Sequence, residues 1–283
     1  MSSNSEFIRK HLEREYGLPF RVSGETWQRD PVYLISPECD EGDIFTIRIE
    51  LRNQFRIVAE INPAEYSADS IRDMEKADAG KKLIFAEYAS LIKEKGAKLR
   101  FSINESEQNT DTYEEWPRRW RNYSCRISKP AAVPEEGEFN LAEIIADWAT
   151  LSAGMFLSLL NVELCDDAVD EQECLRFEGG AKEVTSRRYE RNRVNRQLCL
   201  SENGYSCKIC GFDFEKVYGE LGSQFIHVHH IVPVSGMKEE YLLNPRTDLI
   251  PVCPNCHAML HREDPPLTPE QLKTVMVKTA EKQ

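Results

Sequence analysis

Four of the nine cysteines fall into two Cys-x-x-Cys pairs near the end of the chain, Cys207 with Cys210 and Cys253 with Cys256. Two such pairs supply four thiolates, which fit a tetrahedral zinc site that is closed to substrate and therefore structural. A redox dithiol is the alternative, but neither pair stands in the strand-to-helix context of a thioredoxin-like site. The remaining cysteines are scattered, as is typical of small core residues in a reducing compartment. We therefore expect a structural Zn²⁺ that holds a small core together.

All but one of the six histidines lie between or just after these pairs, at His227, His229, His230, His257 and His261. The first three sit in a stretch with strand character, where period-two alternation puts His230 on the opposite face from His227 and His229. The last two stand at i, i+4 spacing in a predicted helix start, which places them on one face. A strand imidazole directed at two helix imidazoles predicts a three-nitrogen site with open positions, as a catalytic metal requires. A second closed zinc site is the structural alternative.

These features together resemble the HNH (ββα-metal) nuclease family. The segments CKICG, FIHVHHIVPVS and NPRTDLIPVCPNCHAMLHRE carry the likeness, which covers about residues 177–262. They are similar to the zinc-stapled HNH domains of bacterial restriction and phage-defence enzymes. The preceding RRYERNRVNRQLCLSENGYSC resembles the arm before this domain in restriction enzymes directed at modified cytosine. The resemblance implies hydrolysis of phosphodiester bonds, with DNA as the expected substrate.

The resemblance also implies a role for four of the histidines. His230 matches the general base that takes a proton from the attacking water, and His229 stands at a metal-ligand position. His257 and His261 would complete the catalytic metal site. Imidazole ligands tolerate several transition metals, whereas oxygen ligands would favour Mg²⁺. The sequence leaves Mg²⁺, Mn²⁺, Ni²⁺ and Zn²⁺ open as the catalytic divalent metal.

Asp248 stands where the family has an asparagine, and this departure leaves its role open. A carboxylate there could orient the base imidazole or touch the metal, and we count Asp248 among the catalytic candidates. Asn244 is a weaker candidate for the same position. Three roles remain open for His227. It could be a fourth metal ligand, a phosphate contact, or a strand histidine whose hydrogen bonds are made within the protein.

The formal net charge of −12 is unevenly distributed. Residues 1–176 hold 22 Lys and Arg against 34 Asp and Glu, whereas residues 177–262 hold 11 against 10. Basic side chains cluster before the first cysteine pair, at Lys182, Arg187, Arg188, Arg191, Arg193 and Arg196. Phosphate binding needs local positive potential rather than a basic protein. We expect this basic arm to bind nucleic acid; a solvated helix face is the alternative.

The elements upstream alternate in type. Hydrophobic periodicity predicts an amphipathic helix at 6–16, strands at 45–51 and 55–61 joined as a hairpin, helix over 67–95 with a break near Gly80, a strand at 99–103, and a long buried-faced helix over 139–160. This mixture predicts an α+β domain. The segment Trp116–Tyr123 interleaves aromatic side chains with arginines, which fits either a base-stacking surface or, as we favour, an edge strand with buried tryptophans.

We therefore predict an α+β protein in which a mixed α+β domain (1–165) is followed by a linker (166–180), a small zinc-stabilised ββα-metal nuclease domain with its basic arm (181–270) and a tail (271–283). The first domain would recognise a target, bind a partner or regulate the nuclease. No apolar run reaches the roughly 18 residues of a membrane span, and the N-terminus lacks the apolar core of a signal peptide, so we expect a cytoplasmic protein.

The predicted function is a metal-dependent HNH endonuclease that acts on DNA, foreign or phage DNA above all, in restriction or antiviral defence. Two alternatives stay open. One is a nucleic-acid-binding or defence-complex subunit with weak or regulated nuclease activity, and the other is an RNase. A general-base candidate together with a full set of metal ligands favours the enzyme.

Overall fold

The computed structural model describes residues 2–28, 30–39, 42–53, 55–65, 67–130, 139–160, 193–231, 242–263 and 265–280. Its helices are α1 (Ser2–Tyr16), α2 (Ala68–Glu75), α3 (Ala79–Glu94), α4 (Leu141–Leu157), α5 (Arg193–Asn203), α6 (Phe214–Tyr218), α7 (Pro254–Leu260) and α8 (Pro269–Ala280). Its strands are β1 (Phe20–Trp27), β2 (Asp30–Cys39), β3 (Gly42–Asp43), β4 (Phe45–Arg52), β5 (Arg56–Pro63), β6 (Lys98–Ile103), β7 (Ser106–Gln108), β8 (Tyr123–Lys129), β9 (His227–His230) and β10 (Leu249–Val252). None of these helices combines the length and apolar composition that crossing a membrane requires. The mixed α+β class predicted from the sequence is confirmed.

The N-terminal strands form one antiparallel sheet in the order β1-β2-β4-β5-β8-β6-β7, with β3 paired to β2. In β4 the apolar side chains alternate with polar ones, and Phe45, Ile47 and Ile49 are fully buried. Period-two alternation thus gives the sheet one apolar face. The predicted hairpin is confirmed, because β4 pairs with β5 from Phe45 opposite Pro63 to Arg52 opposite Arg56.

Helix α4 lies at the centre of the larger core, in contact with α1, α3, α5, β4 and β5. Its close approach to α1 and α3 depends on Gly154, where a Cβ atom would lie 2.5 Å from the Tyr88 hydroxyl and 2.6 Å from that of Tyr16. The same tyrosines bond buried carbonyls: Tyr16 donates to Thr150 (2.7 Å) and Tyr88 to Val194 in α5 (2.8 Å). The break expected near Gly80 falls between α2 and α3, where the Asp78 side chain caps α3 by accepting from the Lys81 N–H (2.9 Å).

The Trp116–Tyr123 segment corrects part of the sequence interpretation. Residues 116–122 form bends and irregular backbone rather than an edge strand, and β8 begins only at Tyr123. Trp116 and Trp120 are each 6% exposed and their rings pack against Phe101. Each indole N–H donates to a carbonyl, those of Asn109 and Pro117. These rings belong to the hydrophobic core, so they offer no surface on which a base could stack.

The C-terminal part has a smaller core of its own. Strands β9 and β10 pair antiparallel, with His230 opposite Leu249, and α7 contacts both β9 and α8. The buried residues of this smaller core are Leu200, Cys207, Ile226, Val252, Cys253, Cys256, Leu260 and Leu272. Helix α5 joins the two cores, since Val194 and Leu198 lie in the larger one and Leu200 in the smaller. The proposed linker at 166–180 lies outside the described residues.

Candidate metal centres and nuclease site

The four cysteines of the two pairs converge, with all their sulfurs within 4.8 Å of one another. Sulfurs bound at about 2.3 Å to a tetrahedral zinc lie about 3.8 Å apart, and Cys210 Sγ lies 3.7 Å from Cys253 Sγ. Three of the four are buried, as a closed structural site requires. The cluster therefore fits a structural zinc ion.

Local backbone geometry explains why Cys-x-x-Cys produces this convergence. The first pair forms a tight turn in which the Gly211 N–H donates to the Cys207 carbonyl (2.9 Å) at a φ of +76°, a conformation that favours glycine. The Lys208 N–H donates to the Pro251 carbonyl in β10 (3.0 Å), which ties this turn to the second pair. There, Cys253 caps α7 and its sulfur accepts from the Cys256 N–H (3.4 Å).

The cysteine thiols differ in how easily they ionise. Burial raises the pKa of Cys207, but backbone N–H groups of Cys210, Cys253 and Ile209 outweigh it and lower the pKa to about 7. Burial raises the pKa of Cys253 and of Cys256. A bound cation is therefore what would hold these two side chains as thiolates, because metal ligation displaces the thiol proton.

A second cluster brings together the nitrogens of His229, His257 and His261, all within 4.8 Å of one another. The ring centroids form a nearly equilateral triangle: His229 lies 5.3 Å from His257 and 5.0 Å from His261, and the latter two are 5.0 Å apart. Strand β9 supplies one imidazole, the buried face of α7 supplies the second, and the residue that caps α7 supplies the third. Three imidazoles on one side of a space fit a divalent cation with further positions open.

The cluster is graded in exposure. His229 and His257 are buried at 6% and 9%, while His261 is exposed, so the site opens at one side. Burial lowers the pKa of His229 to about 4, assisted by His261 and His230. At neutral pH this ring is therefore uncharged, which is the state that ligates a metal.

His227, whose role the sequence left open, contacts a member of this cluster. Its Nδ1 lies 3.3 Å from Nδ1 of His257, with the two rings nearly perpendicular. If His257 Nδ1 is the donor and His227 Nδ1 the acceptor, Nε2 of His257 keeps its lone pair for a metal ion. Partners of this kind fix the orientation of a ligating imidazole.

Residues 207–263 of this sequence match the family model described as HNH endonuclease. These residues form an HNH endonuclease domain. The match spans both cysteine pairs and every histidine of the second cluster. The searches of curated proteins and of solved structures found no match for the chain.

In the HNH domain, Asp248 stands at the entrance to β10. Its carboxylate accepts from the Asn244 N–H (2.7 Å) and from the Thr247 hydroxyl (2.9 Å), and so closes the turn before the strand. Its carbonyl accepts from the Ile231 N–H (2.8 Å), directly after His230. Among the described residues, Asp248 is not in the cluster of potential metal donors. These bonds fix the register of the strand pair that carries His230.

Glutamates of α3 and α5 hold the same turn through Arg246, a contact that no sequence pattern predicted. Arg246 bonds Glu94 of α3 (2.5 Å) and Glu202 of α5 (3.0 Å), and it lies 3.5 Å from Glu87 of α3. The Asn244 amide donates to Glu87 (2.8 Å). We call Arg246, Asn244 and these glutamates the Arg246 network. This network joins α3 and α5 to the turn that carries Asp248.

The basic arm is only partly described, because Lys182, Arg187, Arg188 and Arg191 lie outside the described residues. The structure places its last two members against the chain itself. Arg193 donates to the Arg14 carbonyl (3.2 Å). Arg196 donates to the Ile226 carbonyl (3.1 Å) and lies 4.0 Å from the buried Glu15. Arg193 thus links α5 to α1, and Arg196 links α5 both to α1 and to the segment before β9.

Proposed function

We propose that this protein is a metal-dependent HNH endonuclease that hydrolyses phosphodiester bonds in DNA, in the cytoplasm, as part of bacterial restriction or anti-phage defence. The observation that carries the proposal is the triangle formed by His229, His257 and His261 within an HNH domain. The four-cysteine cluster needs none of these imidazoles as ligands, so they can form a second, open site. The DNA substrate and the defensive role rest on the resemblance of the sequence to restriction nucleases.

In the proposed mechanism the three imidazoles of the triangle would hold a divalent cation, Mg²⁺, Mn²⁺, Ni²⁺ or Zn²⁺, of which the transition metals suit imidazole ligands best. The chemistry supplied by such a cation is polarisation of the scissile phosphate and stabilisation of the negative charge on its oxygens. His227 would hold the His257 ring through the contact between their Nδ1 atoms. The exposed edge of the site, at His261, is where the phosphate would enter.

His230 is the proposed general base. It follows His229 directly in β9, so strand alternation directs it to the opposite face of the strand from the ligand. A neutral imidazole there takes the proton of the attacking water, a step for which histidine suits physiological pH. The water oxygen bonds to phosphorus as the bond to the 3′ oxygen breaks, and that oxygen leaves and takes a proton from solvent. Asp248 would act through the backbone, because its carbonyl bonds the residue after His230 and its carboxylate closes the turn before β10.

The remaining parts of the chain would support this site. The four-cysteine cluster would hold a structural zinc that fixes α7, which carries His257. The basic arm from Lys182 to Arg196 would bind the DNA backbone; we assign phosphate contact above all to the members before Arg193. The N-terminal domain would select the target, bind a partner or regulate the nuclease.

The test is cleavage of plasmid DNA, with and without modified cytosine, across a panel of divalent cations. We expect nicking that depends on the cation and is lost in His230→Ala. A matched control is Met259→Ala. Met259 lies on α7 between His257 and His261 in the sequence, but its side chain is 46% exposed. Cleavage of RNA in place of DNA would make the protein an RNase, and undiminished cleavage by His230→Ala would refute the assigned base.

A further inference from the structure

An exposed aromatic surface adjoins the imidazole triangle. It consists of Phe214, Tyr218 and Phe225, which we call the aromatic platform. The Phe214 ring stacks on Tyr218 with centroids 6.0 Å apart and meets the Phe225 ring edge-on at 4.8 Å. Phe214 also packs against the smaller core, whereas Tyr218 and Phe225 are 57% and 49% exposed. The platform is therefore anchored at one end and open to solvent at the other.

The platform is continuous with the proposed catalytic site. The Phe225 ring lies 6.1 Å from the His227 ring, which lies 5.2 Å from His257. Phe225, His227 and His229 follow one another at intervals of two residues along the chain leading into β9. A substrate bound at the triangle would thus have the Phe225 ring beside it.

The charges on this surface indicate which part of a nucleic acid it would accept. Glu215 and Glu220 are exposed on the same segment, and Lys216 pairs with Asp213 (3.3 Å). A phosphate group is disfavoured near exposed carboxylates. An uncharged base meets no such repulsion, and its flat face can stack on exposed aromatic rings.

We propose that the aromatic platform stacks an unpaired nucleobase next to the scissile phosphate, with Phe225 as the principal contact. This inference rests on the proposed nuclease function. Bases within an intact duplex are stacked on each other, so a base that reaches Phe225 is single-stranded or extruded from the helix. Stacking is tolerant of sequence because every base has a π face. The nuclease therefore favours substrates with an unpaired base beside the cut.

The experiment combines a change in the protein with a change in the substrate. The variants are Phe225→Leu, which removes the aromatic face, Phe225→Tyr, which keeps it, and the control Leu221→Ser, because Leu221 is 90% exposed on the adjoining turn. Binding to single-stranded oligonucleotides is measured in the full chain carrying His230→Ala, so that the substrate stays intact. A series of oligonucleotides carries one abasic site, moved stepwise across the cleavage position.

We expect Phe225→Leu to weaken binding by about 5- to 150-fold, since stacking of one base on an aromatic side chain has this range of effect. Phe225→Tyr and Leu221→Ser should bind nearly as the parent does. At one position the abasic site should weaken the parent to the same degree, and Phe225→Leu should add nothing further there. Wild-type protein should cut a duplex with an unpaired base faster than the matched intact duplex.

The inference is overturned if Phe225→Leu binds like the parent, or if its defect is the same on every abasic substrate. It is also overturned if Phe225→Leu and Leu221→Ser both change the oligomeric state without changing oligonucleotide binding, since the platform is then an interface between copies of the chain. If the wild type cuts no nucleic acid, the proposed function fails, while the binding series still decides whether Phe225 stacks on a base. Unchanged circular dichroism and zinc content exclude misfolding as a cause.

Discussion

Replacing Arg246 with methionine should weaken the attachment of the HNH domain to α3 and α5. The substitution keeps a long apolar side chain and removes the guanidinium group. The Arg246 side chain is only 14% exposed. Glu87 and Glu202, at 21% and 34% exposure, then lose their cation. The pKa of Arg246 is raised, chiefly by its bond to Glu94 and further by Glu202 and Glu87, so the arginine is charged at any relevant pH.

The size of the effect follows from the partial burial of the Arg246 network. Breaking a fully buried ion pair costs about 3–5 kcal/mol, and breaking an exposed one about 0.2–1 kcal/mol. The contacts of Arg246 with Glu87 and Glu202 lie between these limits, so we expect a loss of about 1–3 kcal/mol in the free energy of unfolding. For a chain of this size that corresponds to a fall in Tm of roughly 2–12 °C.

The assay is thermal unfolding, with hydrogen exchange at residues 242–252 as a local measure. The matched control is Arg262→Met, because Arg262 is exposed on the same domain. A double-mutant cycle with Glu87→Gln should give a coupling of at least about 0.5 kcal/mol, since the two side chains belong to one network. Equal Tm values for Arg246→Met and Arg262→Met, together with additivity in the cycle, would show that the Arg246 network does not stabilise the protein.

The same network predicts a pH dependence. Arg246 and Ser90 lower the pKa of Glu94 below its usual value. A carboxyl whose pKa is lowered on folding stabilises the protein above its unfolded pKa, and this contribution is lost as the pH falls through the folded pKa. The difference in Tm between wild type and Arg246→Met should therefore narrow as the pH falls below about 4.

Three further predictions concern the metal centres and the domains. Cys207→Ser should remove the tightly held zinc, about one ion per chain by metal analysis after dialysis, and should lower solubility by unfolding the smaller core. His230→Ala should lower the rate of DNA nicking by about 10²–10⁴-fold with metal affinity near normal in calorimetry, whereas His257→Ala should weaken catalytic metal binding and be partly rescued by more metal. A fragment beginning at residue 177 should have a lower Tm than the full chain, because Val194 and Leu198 lose the core into which they pack. Each of these side chains should lower the free energy of unfolding by about 1.5–3 kcal/mol.

Each of these has a result that would contradict it. A folded, active and zinc-free Cys207→Ser protein would remove the structural-zinc assignment, and Cys199→Ala provides the control, since Cys199 is a buried thiol outside the cluster. Metal binding that survives His257→Ala but is lost in His230→Ala would exchange the proposed roles. A fragment as stable as the full chain would mean that α5 does not depend on the larger core.

The sequence by itself identified the groups that carry chemistry in the HNH domain. Cys-x-x-Cys, the alternation of His227 to His230 and the spacing of His257 and His261 are patterns within a few residues. Turn, strand and helix geometry turn such spacings into directions in space, so two clusters could be expected before any fold was known. The same reasoning predicted the β4–β5 hairpin and the long helix α4.

Which side chains surround and support these groups depends on tertiary packing. Trp116 and Trp120, which a pattern could assign to a base-stacking surface, lie in the core because Phe101 and its neighbours pack around them. Glu87 and Asn244 are separated by 157 residues, and nothing in either local sequence indicates that they meet. Periodicity fixes which way a side chain points from its own element. Which side chains then come into contact depends on how the helices pack, and that is a property of the whole chain.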